Sequence, residues 1–367
     1  MRLLCLNAGS TSVKAAVYDL VAGQTEPIPL RRFSGTDCQT SHFWMRIGPT
    51  CDAVAHRIVH GGPDLVGPIE IDDKLRTRLE GTRSLAPIHQ MPALRLLDRA
   101  VKEYPAARQF ACFDTDFFRD LPAIATTLPV SEEMREAGVR RYGFHGLSAE
   151  SALHAFPELR DGNTVLCHLG GGTSVIGIRD GAAVSTSMGL TPNSGPPMAT
   201  RCGDLDPGIV TYLVDHVGWS LDEVMRQLHH QSGLFGLTGG LKSVKQSIEA
   251  IDVAKRDQRD SSQLRRALDL YCERIAEQVA AAAVRLGGID HLAFSGGVGE
   301  NAPTIRAAIL KRLRKANLLL TCRSEELVAP CDEEAVMARH LAAILPRTQL
   351  SKPSRQTERT SCEPAPS

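Results

Sequence analysis

An internal repeat constrains the fold of this chain more than any other feature of its sequence. The segment LLCLNAGSTSVKAAVYD at residues 3–19 recurs in outline as VLCHLGGGTSVIGIRDGAAV at residues 165–184. Each copy predicts an apolar strand, a turn of small and polar residues, a second strand and then a third. Two copies this far apart predict two related α/β domains, with a cleft between the two glycine-rich turns.

Strand and helix signals alternate in both halves of the chain. Residues 92–104 and 264–286 place apolar side chains at helical spacing, and Gly287 predicts the end of the second helix. The segment HLAFSGGVGEN at 291–301 predicts a strand that enters a glycine turn, and Pro303 predicts the start of the helix that follows. This alternation is typical of α/β domains.

Composition and charge exclude several classes of protein. Hydrophobic residues make up 43% of the 367 positions and charged residues 23%, which is typical of a globular protein. The formal net charge is +0, so no nucleic acid or membrane partner is expected. The ten cysteines contain no CxxC pair. Scattered cysteines favour reduced thiols in a cytoplasmic protein over a metal site.

Three glycine-rich turns follow predicted strands, around Gly9, at 170–172 and at 296–297. Glycine lets backbone N–H groups approach an anion, and neighbouring Ser, Thr and Asn side chains add donors. One such turn is more often a simple hairpin, but three in a repeated arrangement favour phosphate binding. None matches the P-loop pattern, and none opens a Rossmann unit.

Polar residues cluster near these turns within apolar surroundings. The cluster comprises Arg57, His60, His89, Asp114, His145, Arg201, Asp204 and Asp206. Taken singly, a histidine is more often a core residue than a catalyst, and the two aspartates at 204 and 206 are expected to shape a turn. Together the cluster offers few nucleophiles and many positive donors, which suits phosphoryl transfer aided by a divalent metal. A carboxylate acceptor would need no general base.

Eight motifs occur in the order in which acetate kinases carry them, so the chain resembles that family from Arg2 to about Leu345. The motifs are NAGSTSVK, HRIVHGG, FDTDF, RRYGFHGLS, CHLGGGTSV, SMGLTP, TRCGDLDPG and FSGGVGEN. The resemblance implies the α/β fold of the acetate and sugar kinase/Hsp70/actin superfamily, with duplicated ribonuclease H-like domains around a nucleotide cleft. It also implies reversible phosphoryl transfer from ATP to acetate, giving acetyl phosphate and ADP, with Mg²⁺ or alternatively Mn²⁺, in a homodimer.

The resemblance assigns roles to residues of these motifs and of two further segments, APIHQMP at 86–92 and DEE at 332–334. As catalytic residues it implies Arg57, Asp114, His145 and Arg201. As substrate-binding residues it implies Arg57, Val59, Ile88, His89, Phe144 and Pro192. As nucleotide and phosphate contacts it implies Ser10, Ser12, Lys14, His168, Gly170, Gly171, Gly172, Gly296, Gly297, Gly299 and Asn301. As metal ligands it implies Asn7 and Glu333.

The same resemblance divides the chain into domains. The first would comprise residues 1–146 with the C-terminal helix at 333–346 returning to it, and the nucleotide-binding domain would comprise 147–332. The polar, Pro- and Ser-rich segment 347–367 predicts a disordered tail.

The departures from the family pattern affect the nucleotide side of the expected cleft. Gly171 replaces an asparagine, Ala149 replaces a second histidine, and residues 242–245 lack the usual Asp and Arg.

Propionate remains an alternative acceptor, because one methylene in an apolar pocket changes affinity by only about 1–3 kcal/mol. Butyrate fits the motifs less well. The alternative from another class is a non-catalytic nucleotide-binding or actin-like protein of the same fold.

Overall fold

The computed structural model describes residues 1–9, 13–21, 24, 26–35 and 41–345. Ser10, Ser12 and the segment 347–367, for which a disordered tail was expected, lie outside these residues. The strands are β1 Arg2–Ala8, β2 Val13–Asp19, β3 Ile28–Gly35, β4 Ala53–Ile58, β5 Ile69–Glu70, β6 Arg108–Phe113, β7 Asn163–Leu169, β8 Thr173–Arg179, β9 Ala182–Thr186, β10 His291–Ser295 and β11 Ser324–Val328.

The helices vary from single turns to seven turns. They are α1 Ser41–Ile47, α2 Asp73–Gly81, α3 Pro87–Glu103, α4 Ala123–Thr126, α5 Glu132–Glu136, α6 Gly146–Ala155, α7 Gly208–Asp215, α8 Leu221–His230, α9 Gly233–Thr238, α10 Val244–Arg256, α11 Ser262–Leu286, α12 Gly296–Asn301, α13 Pro303–Lys315 and α14 Glu333–Ile344. Short 3₁₀ helices occupy Arg83–Leu85, Asp116–Phe118 and Pro157–Arg160. In the described part of the chain, no helix combines the length and apolar character needed to cross a membrane.

Two sheets with the same topology confirm the duplication that the repeat predicts. The first has the strand order β3-β2-β1-β4-β6-β5 and the second β9-β8-β7-β10-β11. In each, three antiparallel strands continue into parallel ones, β1 beside β4 and β7 beside β10. Asn7 pairs with Lys14 beside one glycine turn, and His168 pairs with Ser174 beside the other. The strand pairs that flank the two turns are therefore structural equivalents.

Each sheet is covered on both faces, so its central strands are apolar on both sides. Helix α3 packs on one face of the first sheet and α14 on the other, while α11 and α13 share a core with the second sheet. Burying one large aliphatic side chain contributes about 1.5–3 kcal/mol, so these four helices anchor the sheets firmly. The packing of α14 brings the C-terminal segment back to the first sheet, although the exact domain boundaries stay a prediction.

Predicted helices are confirmed, with shifts at their ends. Helix α11 ends at Leu286, where Gly287 has a left-handed φ of 80°. Helix α3 begins at Pro87, five residues before the predicted start, because proline fits the first turn of a helix.

The glycine turn predicted at residues 296–297 is wrong. Gly296 and Gly297 instead open the short helix α12 directly after β10. Gly296 has φ of 77°, and a Cβ there would lie 2.7 Å from the carbonyl oxygen of Leu169. Glycine therefore permits an immediate strand-to-helix change against β7.

Candidate active site

A cleft of about 410 Å³ lies where the glycine turns of the two sheets face each other. Its walls include most of the residues that the sequence singles out. They are Asn7, Ala8, Gly9, Lys14, Arg57, Val59, His89, Asp114, Phe144, His145, His168, Gly170, Gly171, Gly172, Pro192, Arg201, Gly296, Gly297, Glu300, Asn301, Cys331 and Glu333. Residues far apart in the chain therefore meet in one polar site.

Arg57 connects three polar side chains on the first-sheet side of the cleft. Strand β4 carries it, and its Nη2 lies 2.6 Å from Oδ2 of Asp114. Its Nη1 donates to Oδ1 of Asn7 at 3.0 Å and to Oε2 of Glu333 at 2.9 Å. Burial raises the pKa of Asp114 to about 6 although Arg57 opposes this. Burial acts in the same direction on Glu333, but Arg57, His168, Asn7 and Lys14 together outweigh it and leave the pKa of Glu333 below its ordinary value.

Arg201 has a different electrostatic environment. The loop between β9 and α7 carries it, and its side chain donates to the carbonyl oxygen of Pro192. It is 5% exposed, and within the described part of the chain no carboxylate forms an ion pair with it. Burial, together with the charge of Arg57, lowers its pKa to about 10, so it stays positive at neutral pH. An anion that bound beside it would stabilise a buried guanidinium that has no counter-ion.

Two histidines stack beside the glycine turn of the second sheet. The ring centroids of His145 and His168 are 4.1 Å apart. Nδ1 of His145 lies 2.9 Å from Ser174 Oγ, and Nδ1 of His168 lies 2.7 Å from Ser148 Oγ. Burial, and then the neighbouring His168, lowers the pKa of His145 well below its ordinary value. Burial lowers the pKa of His168 to about 4, so both rings are neutral at pH 7.

The backbone of His145 is held in an uncommon conformation. Its φ is 63°, in the left-handed region, directly before α6 begins. A Cβ built on Gly172 would lie 3.1 Å from Nε2 of His145 and 2.7 Å from Nη2 of Arg201. The side chains of Arg201 and His145 thus approach the glycine backbone of the turn at 170–172. Exposed backbone N–H groups beside a cation are a place where a phosphate can bind.

Three apolar side chains, Val59, Phe144 and Pro192, line the cleft beside His89. Phe144 is fully buried, so this wall is rigid. Burial, with a contribution from Arg201, lowers the pKa of His89 to about 3. These three side chains form an apolar part of the cleft wall beside Arg201, which donates to the carbonyl oxygen of Pro192.

Among the described residues, two that the resemblance includes do not line the cleft. Ile88 precedes His89 in α3 and is half-buried, but only His89 of the two is part of the cleft wall. Gly299 lies inside α12, where a Cβ would be 3.4 Å from the backbone of Phe294. Gly299 therefore lies in the contact between α12 and β10.

Three other polar residues form hydrogen bonds within the protein, as the sequence predicts for a core histidine and for two aspartates that shape a turn. Both ring nitrogens of His60 are engaged, Nε2 with Leu190 and Nδ1 with Gly62. Asp204 accepts from the backbone N–H of Gly195, and Asp206 from that of Gly208. These side chains shape the loops that carry Arg201.

Sequence reasoning missed several groups in and behind the cleft. Glu300 and Cys331 line it, and Glu334 accepts from Nδ2 of Asn7 at 2.7 Å. Burial and then Glu333 raise the pKa of Glu334. Glu300 lies inside the motif FSGGVGEN, and Cys331 and Glu334 lie within two residues of Glu333, the expected metal ligand, so adjacency to expected site residues is the signal that could have found them. Ser148 and Ser174, which bind the histidines, lie in the motifs themselves.

Comparisons with known proteins agree with this geometry. The model of the acetokinase family matches residues 44–344. The chain is 34% identical to acetate kinase of Shewanella loihica over 348 residues, covering 85% of this chain and 86% of that protein. It is 33% identical to acetate kinase of Nitrobacter hamburgensis over 398 residues, covering 94% and 96%.

Solved structures give the same result. A propionate kinase from Francisella tularensis superposes with a TM-score of 0.78 at 26% identity, covering 92% of this chain and 98% of that one. Acetate kinase of Porphyromonas gingivalis superposes with a TM-score of 0.76 at 27% identity, covering 94% and 100%. The architecture is thus that of the actin/Hsp70 superfamily kinases, and the chain belongs to the acetokinase family and is a phosphotransferase.

Proposed function

We propose that this protein transfers the γ-phosphoryl group of ATP reversibly to acetate, giving acetyl phosphate and ADP. The observation that carries the proposal is Arg201, a buried guanidinium without a carboxylate partner that shares a cleft with Arg57. An acetate oxygen attacks the γ-phosphorus while the bond to the ADP oxygen breaks. Acetate is already ionised at neutral pH, so the step releases no proton and needs no general base.

The cleft residues divide into two groups in this reaction. Arg201 binds the carboxylate and the transferring group, and His145 donates to the developing charge on the equatorial oxygens. Arg57 is held by Asp114 and Glu333, so it offers a fixed positive charge beside the two anions. Val59, with its apolar neighbours, surrounds the methyl group, while Lys14 and the glycine turn at 170–172 contact the phosphates.

The donor set also fits Mg²⁺, with Mn²⁺ as the substitute. Among the described residues, no group of three or more His, Cys, Asp or Glu side chains could hold a metal alone. Mg²⁺ in kinases is typically held by one or two protein oxygens together with the nucleotide phosphates. Glu333, ionised and lining the cleft, and the amide oxygen of Asn7 would supply them. When bound, the ion neutralises charge on the phosphates.

Hydroxamate detection of acyl phosphate tests the proposal directly. Purified protein is incubated with ATP, Mg²⁺ and acetate, propionate or butyrate, with EDTA in place of the metal as control. We expect acetyl hydroxamate to form fastest and EDTA to abolish it. No acyl phosphate from any acid, with nucleotide still bound, would reject the kinase function in favour of a nucleotide-binding protein. A higher kcat/KM for propionate would reject only the choice of acetate.

A homodimer is part of the same proposal, and helix α7 supports it. None of its residues is buried in the single chain, although most are apolar. Tyr212 is 58% exposed, and Trp219 and Leu221 extend the apolar surface toward α8. Exposed aromatic and aliphatic side chains on neighbouring helices are typical of an interface between subunits.

A cytoplasmic location belongs to the proposal as well. The eight cysteines among the described residues are all free thiols. Free thiols are typical of a reducing compartment.

A further inference from the structure

His168 lies among hydroxyl and thiol groups from three separate elements. Ser148 Oγ, from α6, is 2.7 Å from Nδ1 of the ring, and Ser295 Oγ, from the end of β10, is 3.3 Å from it. The two serine oxygens are 3.4 Å apart, and Cys331 Sγ donates to Ser148 Oγ at 3.4 Å. Both serines are fully buried. The cluster therefore has to satisfy its hydrogen bonds internally.

The neutral His168 ring carries its proton either on Nε2 or on Nδ1, and the two forms differ in the hydrogen bonds that the cluster can make. If Nδ1 is an acceptor, Ser148 donates to it, Ser295 donates to Ser148, and every hydroxyl hydrogen has a partner. If Nδ1 carries the proton, it donates to Ser148, and Ser295 can still donate to Ser148 only if the hydrogen of Ser148 turns to the thiol sulfur of Cys331. A thiol sulfur is a weaker acceptor than a ring nitrogen. The first form, in which Ser148 donates to the ring, is therefore favoured.

The environment of Ser295 also supports the form in which Nδ1 of His168 is an acceptor. Ser295 occupies the N-cap position of α12, where a serine hydroxyl ordinarily accepts a backbone N–H. Here its side chain makes no capping hydrogen bond. Its hydroxyl is directed to the His168 cluster instead. Cys331, by donating to Ser148, leaves the hydrogen of Ser148 for the ring.

The other nitrogen of His168 faces the glycine turn. A Cβ on Gly170 would lie 3.5 Å from Nε2, and a Cβ on Gly296 would lie 3.0 Å from Cε1. The hydrogen bonds of the ring with other described residues are made by Nδ1. An N–H on Nε2 would therefore point into the space where the proposed reaction places phosphate.

We propose that Ser148 and Ser295 are positioning residues that hold His168 in its neutral Nε2–H form, so that Nε2 donates to a phosphoryl oxygen. The inference rests on the proposed function for the identity of the acceptor, but the form of the ring is a property of the protein alone. The serines act through His168 and touch no substrate. No covalent step is involved.

Nuclear magnetic resonance of the full-length protein, labelled with ¹⁵N-histidine, tests the form of the ring without any substrate. Long-range ¹H–¹⁵N correlations distinguish a protonated from an unprotonated ring nitrogen, and His168→Gln identifies the His168 signals. We expect Nε2 protonated and Nδ1 unprotonated in the wild type. A protonated Nδ1 would overturn the proposal.

Variants separate positioning from simple structural support. The double variant Ser148→Ala/Ser295→Ala should give a mixture of both neutral forms. Ser151→Ala is the matched control, because Ser151 lies one turn further along α6 and binds only backbone groups of Pro330 and Asp332. It should leave the His168 signals unchanged. If the double variant also leaves them unchanged, the serines do not set the form of the ring.

Kinetics give a second readout, with Ser148→Ala alone in case the double variant fails to fold. We expect kcat to fall about tenfold with KM for acetate unchanged, since His168 lies on the phosphate side. Ser151→Ala should keep wild-type kcat. Equal kcat for both variants would overturn a positioning role. A wild type that makes no acyl phosphate would reject the proposed function, while the spectrum would still decide the form of the ring.

Discussion

At the scale of single residues, the two arginines of the site differ in whether carboxylates neutralise them. Arg57 is neutralised by Asp114 and Glu333, at 2.6 Å and 2.9 Å. Arg201 has no such partner in the described part of the chain, and burial lowers its pKa to about 10. A protein maintains an uncompensated buried charge only at a cost in stability, so a ligand of opposite charge explains it best.

Arg201→Ala should lower kcat by about 10²–10³, because it removes a charge that stabilises the transition state. The melting temperature should stay the same or rise, since no buried carboxylate loses its partner. Arg226→Ala is the control, because Arg226 is an exposed arginine of α8 paired with Glu223. Steady-state kinetics and thermal unfolding are the measurements. Near-normal turnover of Arg201→Ala would remove it from the mechanism.

Val59→Ala should raise the ratio of kcat/KM for propionate to that for acetate, because the shorter side chain makes room for one methylene. A methylene in an apolar pocket is worth about 1–3 kcal/mol. Val54→Ala is a matched control on β4, the strand that ends directly before Val59, since Val54 is fully buried but does not line the cleft. It should cost stability without changing the ratio. An unchanged ratio in Val59→Ala would refute the assignment of the methyl pocket.

At the scale of elements, the turn between β7 and β8 shows why glycine is required at one position and not at its neighbour. A Cβ on Gly172 would lie 2.7 Å from Nη2 of Arg201, whereas a Cβ on Gly171 would meet nothing within 4 Å. Neither residue has a positive φ, so alanine is compatible with both backbones. Space in the cleft, and not backbone strain, distinguishes them.

Gly172→Ala should fold normally but lower kcat/KM about 10²-fold, because its methyl group displaces Arg201 and His145 from the reacting atoms. Gly171→Ala should stay within about threefold of the wild type, as expected for a side chain that enters open space. Both variants are compared by kinetics and circular dichroism. Equal activities would show that the arginine and the histidine move aside freely.

At the scale of the whole molecule, α6 and α14 connect the two sheets. Leu147 of α6 belongs to the core beneath the first sheet, while Ala149 and Leu153 belong to the core beneath the second. His340 of α14 lies 2.6 Å from Glu150 of α6. Burial acts to lower the pKa of His340, but the hydrogen bond and the charge of Glu150, together with the charge of Asp116, outweigh it and the pKa is raised.

The His340–Glu150 pair should make stability depend on pH. Because the folded-state pKa of His340 is raised, the pair stabilises fully below about pH 6.5, the unfolded value, and its contribution is lost as pH rises through the folded value. Relative to His340→Gln, the wild type should gain about 1 kcal/mol in free energy of unfolding at the acid end. Urea unfolding from about pH 6 to about pH 9 measures this. A difference independent of pH would exclude a charged His340.

The proposed dimer is tested at the exposed face of α7. Tyr212→Asp should give monomers in size-exclusion chromatography with light scattering, because it places a charge in an apolar interface. Val284→Asp is the control, since Val284 is 82% exposed on α11, away from α7. It should leave the mass unchanged. A monomeric wild type would reject the homodimer.

The sequence by itself determined the duplicated α/β fold, because the strand-turn-strand pattern at residues 3–19 and 165–184 is local. It also singled out Arg57, His145 and Arg201, because they lie in motifs, and all three line the cleft. Only the tertiary structure decided which of the expected site residues line the cleft: Ile88, beside His89 in α3, and Gly299, packed against β10, do not. The tertiary structure also decided the charge balance, since the carboxylate partners of Arg57 come from the residue after β6 and from α14, which only long-range packing brings together.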